Sequence, residues 1–251
     1  YAMTANSDNL GAAPSARIAG WFAASGAPYA PEMCRRTPAD VKGGHLAVRK
    51  SDGRIILRDT AQTPEDQMHY FTDQFRHPFF HTNNLWFDLK VLRDTLADRG
   101  GILGLPLIRN SKTVDPADSS STPVIQLETA MGAAVEAFEG ATAIEVPRSR
   151  FLPVKTTNDL LLVRSDVYEV DDDGLLQMVP DQACTVSLDP RFYKKIQDFE
   201  ARFPDGVPSI KGAQSLTVEG DWTFGSGVVA TGEALVSQEG SPGRIADGAR
   251  I

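Results

Sequence analysis

The C-terminal part of this chain repeats an apolar residue every six positions, and few folds accommodate such a period. Leu216, Trp222, Val228 and Ala234 form one ladder, and Val218, Phe224, Ala230 and Val236 form a second. After a loop over Ser237–Gly243, Ile245 and Ile251 resume the step. A six-residue apolar period with interspersed glycine suits a hexapeptide parallel β-helix, in which stacked coils bury the ladder. An antiparallel sheet of period two would carry the same two ladders. Gly220 and Gly232 favour the six-residue alternative. The period therefore predicts a parallel β-helix over residues 208–251.

Upstream, strand-like and helix-like stretches alternate, which predicts an α/β core over residues 1–207. The chain opens in what reads as the end of a strand, with no initiator methionine, and this suggests a missing upstream segment. Residues 45–49 and 54–59 read as two strands around an Ser51-Asp52-Gly53 turn. Asp171-Asp172-Asp173-Gly174 reads as another hairpin turn. A helix is predicted after Pro14. A second is predicted from Asn83, with Leu85, Trp86, Leu89, Leu92 and Leu96 on one face and Asn83 or Asn84 as its cap. Residues 126–138 and the stretch after Pro190 also have helical spacing. Ile102–Ile108 reads as an edge strand, and Leu160–Val163 as a buried strand.

A length of 251 residues suffices for a sizeable core. The net charge of −8 argues against a nucleic-acid partner and against an anionic membrane surface. It leaves room for a small anionic ligand held by a few local cations. No apolar run is long enough to span a bilayer as a helix. The two cysteines, Cys34 and Cys184, lie far apart and outside any metal-binding spacing, so a reducing cytoplasm is the simplest compartment.

Four polar segments carry candidate chemistry. Asn6-Ser7-Asp8-Asn9-Leu10-Gly11 follows a strand, and a carboxylate there can hold Mg²⁺. Taken alone, it is as well explained by an Asx-type turn. Thr37–Gly44 ends in paired glycines that let backbone approach a ligand, or it is simply a connector. Thr82-Asn83-Asn84-Leu85-Trp86 offers amides to sugar hydroxyls or phosphate, or merely caps a helix. Pro147–Thr157 sets Arg148, Arg150 and Lys155 among prolines and apolar residues, where a lysine can neutralise phosphoryl charge, or where the cations simply face water. His77 and His81 are spaced for a helical metal site, but Pro78 between them argues against that helix.

Together the segments tell more than they do singly. NSDNLG (6–11), ADVKGG (39–44), TNNLW (82–86), VIQLETAMGAA (124–134) and VPRSRFLPVKTTNDLLLV (146–163) resemble, in order and spacing, the UTP–glucose-1-phosphate uridylyltransferase family. The resemblance implies the C-terminal part of a GT-A-like nucleotidyltransferase core followed by a left-handed parallel β-helix. It implies that glucose 1-phosphate and UTP react, with Mg²⁺, to give UDP-glucose and pyrophosphate. By motif position, Asp8 resembles the metal-holding aspartate, and Asn6, Ser7 and Asp8 line the nucleotide-sugar site. Asn83 resembles the sugar-contacting asparagine, Gly43 and Gly44 lie near the sugar, and Lys155 resembles the catalytic lysine that meets the phosphates. Asp59 stands where the family has a glutamate. The family's glycine-rich LNGGLGT-like loop would lie upstream of Asn6, which makes the chain a fragment on this resemblance. A homo-oligomer built through the β-helix is compatible with it. The competing expectations are a non-catalytic sugar-nucleotide-binding or assembly module and a pyrophosphorylase for N-acetylhexosamine 1-phosphate.

Overall fold

The computed structural model describes residues 1–37, 40, 43–60, 63–116, 118–180 and 184–251. Pro38, Ala39, Val41 and Lys42 of the glycine segment, and Ala61 and Gln62 after Asp59, lie outside the described residues. The chain divides into two units. The first comprises Tyr1–Asn6 and Pro14–Arg148, and the second Ser7–Ala13 and Ser149–Ile251.

The first unit contains β1 (Ala2–Thr4), α1 (Ala16–Ser25), β2 (Tyr29–Arg35), β3 (His45–Val48), β4 (Ile55–Arg58), α2 (Met68–Phe71), β5 (Phe79–Phe87), α3 (Leu89–Asp98), β6 (Leu107–Thr113), β7 (Pro123–Thr129) and β8 (Ile144–Glu145). Its main sheet has the order β1-β5-β2-β8. The contacts of β5 with β1 and β2 are antiparallel, and β2 pairs with β8 in parallel. Strand β2 is buried along all but its last residue. On one side, Tyr29, Leu85, Phe87 and Phe138 pack with Ala133–Val135 of a 3-10 turn. The Tyr29 hydroxyl donates to the carbonyl of Gly132 at 3.2 Å, which ties that turn to β2.

The helix expected from Asn83 is instead the end of a strand. Residues 83–87 lie in β5, and α3 begins only at Leu89, where Asp88 accepts the N–H groups of Lys90 and Val91. A strand buried on both faces gives an unbroken apolar run, and such a run also satisfies helical spacing. Residues 126–138 form no continuous helix either. Gln126, Leu127, Glu128 and Thr129 belong to β7, paired with β6, and a 3-10 turn follows at Met131–Glu136. The edge strand expected over Ile102–Ile108 starts only at Leu107. The β3–β4 hairpin forms as expected.

The second unit contains α4 (Thr157–Arg164), β9 (Tyr168–Val170), β10 (Leu176–Met178), β11 (Thr185–Leu188), α5 (Pro190–Tyr193), α6 (Ile196–Arg202), β12 (Ser209–Val218), β13 (Trp222–Phe224), β14 (Val229–Val236) and β15 (Gly243–Ile245). Leu160–Val163 was expected as a strand and lies in α4. Thr156 and Asp159 form a reciprocal capping box that fixes the helix start, a local signal strong enough to override the apolar run. The helix after Pro190 is broken into α5 and α6. The 171–174 turn joins the β9–β10 hairpin.

The six-residue ladder folds into parallel strands. β12 lies between β11 and β14, and β13 pairs with β15. Leu216 faces Ala234 and Val218 faces Val236, so the chain returns to the same place after three six-residue steps. The antiparallel alternative does not occur over these strands. Inward Leu216, Phe224 and Ala230 are fully buried and join Leu161, Tyr193 and Phe199 in one core. Among the described residues, no helix is long and apolar enough to cross a membrane.

This register separates inward from outward positions. Leu216→Ala should cost roughly 2–5 kcal/mol of stability by opening a cavity. Leu235→Ala, on an exposed side chain of the neighbouring strand, should stay within about 0.5 kcal/mol. Urea unfolding of the two variants checks the pair; equal losses would contradict the register.

Candidate functional site

The first unit gathers five of the expected residues around the end of β5. Glu32, fully buried on β2, accepts the Asn84 side-chain amide at 3.0 Å and the Trp86 indole N–H at 2.9 Å. The Thr82 hydroxyl donates to the Glu32 carbonyl at 2.8 Å and accepts the Asn84 N–H at 3.2 Å. Thr82, Asn84 and Trp86 are thereby fixed on one face of β5. Asn83 between them is held at φ 63°, the one described non-glycine residue with positive φ. Asparagine tolerates that conformation better than most side chains, but it is still uncommon. Its carboxamide donates to the Asn6 side-chain oxygen at 2.7 Å, so two of the predicted site residues share one hydrogen bond.

His81 reinforces this geometry. The Asn83 N–H donates to His81 Nδ1 at 3.1 Å. That bond requires an unprotonated Nδ1 and therefore places the neutral ring's proton on Nε2. Burial pushes the His81 pKa down to about 4, in keeping with the neutral form. A Cβ on Gly132 would sit 2.9 Å from His81 Cε1, so the glycine there makes room for the ring.

Gly44 joins the same group. Its carbonyl accepts the His81 N–H at 2.7 Å, and an added Cβ would lie 3.3 Å from an Asp59 carboxylate oxygen. Gly43 is equally confined, with an added Cβ 3.1 Å from Phe80 Cβ. Asn6, Gly43, Gly44, Asp59 and Asn83 thus belong to one unit and are linked through β5.

The second unit holds Ser7, Asp8 and Lys155. The NSDNLG and VPRSRFLPVK segments are hooked together. Asn9, 6% exposed, accepts the Leu152 N–H at 2.8 Å and donates to the Arg150 carbonyl at 3.1 Å. The Leu10 N–H donates to the Leu152 carbonyl at 3.0 Å, and the Val154 N–H to the Asp8 carbonyl at 2.8 Å. A Cβ on Gly11 would meet the Ser149 carbonyl oxygen at 2.5 Å, so only glycine permits this approach. The hook brings the backbone next to Lys155 against Asp8. Lys155 is exposed, and its N–H donates to the Asp159 carboxylate at 3.0 Å, just ahead of α4. It precedes a helix where a strand over Leu160–Val163 was expected. Ser7 is exposed.

Asp8 Oδ1 is shielded from solvent and accepts no hydrogen bond from the described residues. A buried carboxylate oxygen without a donor is costly unless a cation or ligand meets it. That orphan fits a metal ligand. Among the described residues, no cluster of three or more His, Cys, Asp or Glu side chains could hold a metal. Sequence reasoning missed Glu32, Asn84, Asn9 and Gly11. The last three stood inside recognised motifs, but the partners of Asn9 and Gly11 lie about 140 residues away.

The sequence pattern of the family described as UTP–glucose-1-phosphate uridylyltransferase matches residues 1–230. A UTP–glucose-1-phosphate uridylyltransferase from Hordeum vulgare is 42% identical over 253 residues, which cover 99% of this chain and 51% of the relative. The UDP-glucose phosphorylase structure from Trypanosoma brucei superposes with a TM-score of 0.86 at 40% identity, covering 99% of this chain and 54% of that one. A variant UDP-glucose pyrophosphorylase from Leishmania major, solved in complex with UDP-glucose, gives a TM-score of 0.83 at 43% identity, with 99% and 55% covered. The chain spans about half the length of these relatives.

The buried, neutral His81 has a consequence for pH. Its folded pKa of about 4 lies below the ordinary 6.5, so the unfolded chain takes up a proton that the native ring refuses. The His81 contribution is intact above pH 6.5 and is lost as pH falls toward 4, at up to about 1.4 kcal/mol per pH unit. His45, pushed to about 3 by burial and by His77, Arg36 and Arg58, acts in the same direction. His81→Gln should flatten, without abolishing, the loss of stability between pH 6.5 and 4. An unchanged pH profile in chemical unfolding would show that His81 is not buried neutral.

Proposed function

We propose a function from this premise: the chain belongs to the UTP–glucose-1-phosphate uridylyltransferase family. In the complete protein it supplies the sugar-holding and charge-neutralising parts of a site that makes UDP-glucose and pyrophosphate from UTP and glucose 1-phosphate. The carrying observation is the hook between NSDNLG and VPRSRFLPVK, which sets Asp8, with its orphaned oxygen, beside the lysine-bearing segment.

In this account the sugar-phosphate oxygen attacks the α-phosphorus of UTP. A bond forms between them while the bond to the β-phosphate oxygen breaks, and pyrophosphate leaves with that electron pair. No enzyme group becomes covalently attached. Asn6 and Asn83 present amides to the sugar hydroxyls, and Gly43 and Gly44 offer bare backbone against the ring. Asp59, shorter than the family's glutamate, faces the same place. Lys155 places its ammonium where charge grows on the leaving phosphates, so its effect is largest in the transition state. Asp8 would hold Mg²⁺, which when bound neutralises phosphate oxygens. Ser7 lies next to it on the nucleotide-sugar side.

The GT-A-like core over residues 1–207 and a left-handed β-helix over 208–251 belong to the same proposal. The parallel, six-residue register of β12 and β14 supports the helix. Self-association through those coils would appear as a dimer or larger species in sedimentation. Both cysteines are free and buried, which suits a reducing cytoplasm.

Full-length protein should release pyrophosphate from UTP and glucose 1-phosphate in the presence of Mg²⁺. Lys155→Ala should lower kcat by on the order of 10²–10³ with a smaller change in substrate affinity. Lys155→Arg should restore only part of the loss, since a planar fork does not replace a point charge. Asp8→Asn should remove Mg²⁺-dependent turnover while the protein still folds. Normal Mg²⁺-dependent kinetics in Asp8→Asn, or an unchanged kcat in Lys155→Ala, would overturn these assignments.

A further inference from the structure

Arg148 belongs to the most distinctive sequence block of the chain, yet the roles above leave it unused. Its guanidinium forks onto the Asp40 carboxylate. Nη2 donates to Oδ1 at 3.0 Å, and Nη1 donates to Oδ2. The same group lies over the Phe80 ring, 5.3 Å from its centre. The Asp40 side chain is only 10% exposed. Burial raises its pKa, but hydrogen bonds from Arg148 and Thr37 outweigh that and hold the carboxyl below its ordinary value. A half-exposed ion pair is ordinarily worth little. A planar bidentate pair stacked on a ring fixes geometry more strongly, and lysine cannot reproduce it.

What this pair holds is the paired-glycine segment. The Asp40 carboxylate accepts the Thr37 N–H at 3.0 Å and the Thr37 hydroxyl at 2.6 Å. The Asp40 carbonyl accepts the Gly43 N–H at 2.9 Å. An added Cβ on Gly43 would meet Phe80 Cβ at 3.1 Å and the Asp40 carbonyl oxygen at 3.2 Å. Gly43 is therefore confined by the two residues that the Arg148 guanidinium touches. Arg36 also donates to the Gly43 carbonyl.

We propose that Arg148 is a positioning residue for the sugar phosphate: by clamping Asp40 against Phe80 it fixes the Gly43 and Gly44 backbone on which the sugar rests. The inference depends on the function proposed above and assigns Arg148 no contact with substrate. Loosening the clamp should shift the glycine backbone and weaken sugar binding, while leaving the nucleotide contacts and the Lys155 chemistry in place.

The test compares full-length wild type, Arg148→Lys and Asp40→Asn for kcat, for the KM of each substrate and for melting temperature. Arg148→Lys keeps the charge and loses the fork. It should raise the KM for glucose 1-phosphate roughly five- to tenfold, with the KM for UTP and kcat within about twofold. Asp40→Asn should show the same split. The double variant should be no worse than the weaker single, because both changes break one clamp. If Arg148→Lys fails to fold, Asp40→Asn decides. A glucose 1-phosphate KM within twofold of an active wild type in the folded variants overturns the clamp alone, whatever happens to the melting temperature. Parallel rises in both KM values alongside a lower melting temperature would mark a merely structural pair and also overturn it. A wild type that makes no UDP-glucose overturns the proposed function, and the clamp with it.

Discussion

The register of β5 depends on one buried carboxyl group. Glu32 sits in the middle of β2 with no exposure, and its two oxygens accept the amide of Asn84 and the indole of Trp86. Burying a carboxyl without donors costs several kcal/mol, so the sheet is stable only when β5 brings those donors to the right register. A one-residue slip of β5 would turn Asn84 and Trp86 away from Glu32. The register that satisfies Glu32 is the register that leaves Asn83 at positive φ with its amide on Asn6. Core packing and the placement of Asn83 against Asn6 are therefore set by one strand register.

The two units carry different physics. In the first, the amides of Asn6 and Asn83, bare glycine backbone, the Asp59 carboxylate and a neutral histidine lie around β5. In the second, Asp8 and Lys155 carry opposite charges on segments hooked by Asn9. The segment from Ser7 to Ala13 leaves the first unit in sequence and joins the second in space. Asn6 and Asp8, two residues apart in the chain, are thus anchored to separate frameworks.

Much of the architecture was legible in the sequence where a local period or turn encodes it. The six-residue ladder foretold parallel pairing of β12 with β14, and Ser51-Asp52-Gly53 foretold the β3–β4 hairpin. The sequence misled where burial erased the period. Leu85, Trp86 and Phe87 are all buried, so β5 lost its alternation and resembled a helix. In α4 the Thr156–Asp159 capping box was the decisive signal, but the apolar run of Leu160–Val163 masked it. The candidate residues were legible only as a family resemblance, because each segment alone passes for a turn or a cap. Glu32 left no trace in the sequence: an acid between Pro31 and Met33 shows its role only when Asn84 and Trp86 lie beside it.

In the function proposed above, Asn83 and Asn6, placed by the Glu32-anchored register, form the sugar-facing edge of the site. A crystal structure of the full-length protein with UDP-glucose tests it most directly. The account predicts glucose hydroxyls within hydrogen-bonding distance of the Asn83 and Asn6 side chains, with Asn83 still at positive φ and both Glu32 bonds intact. UDP-glucose bound with its sugar away from Asn83, Asn6 and the Gly43–Gly44 backbone would contradict it.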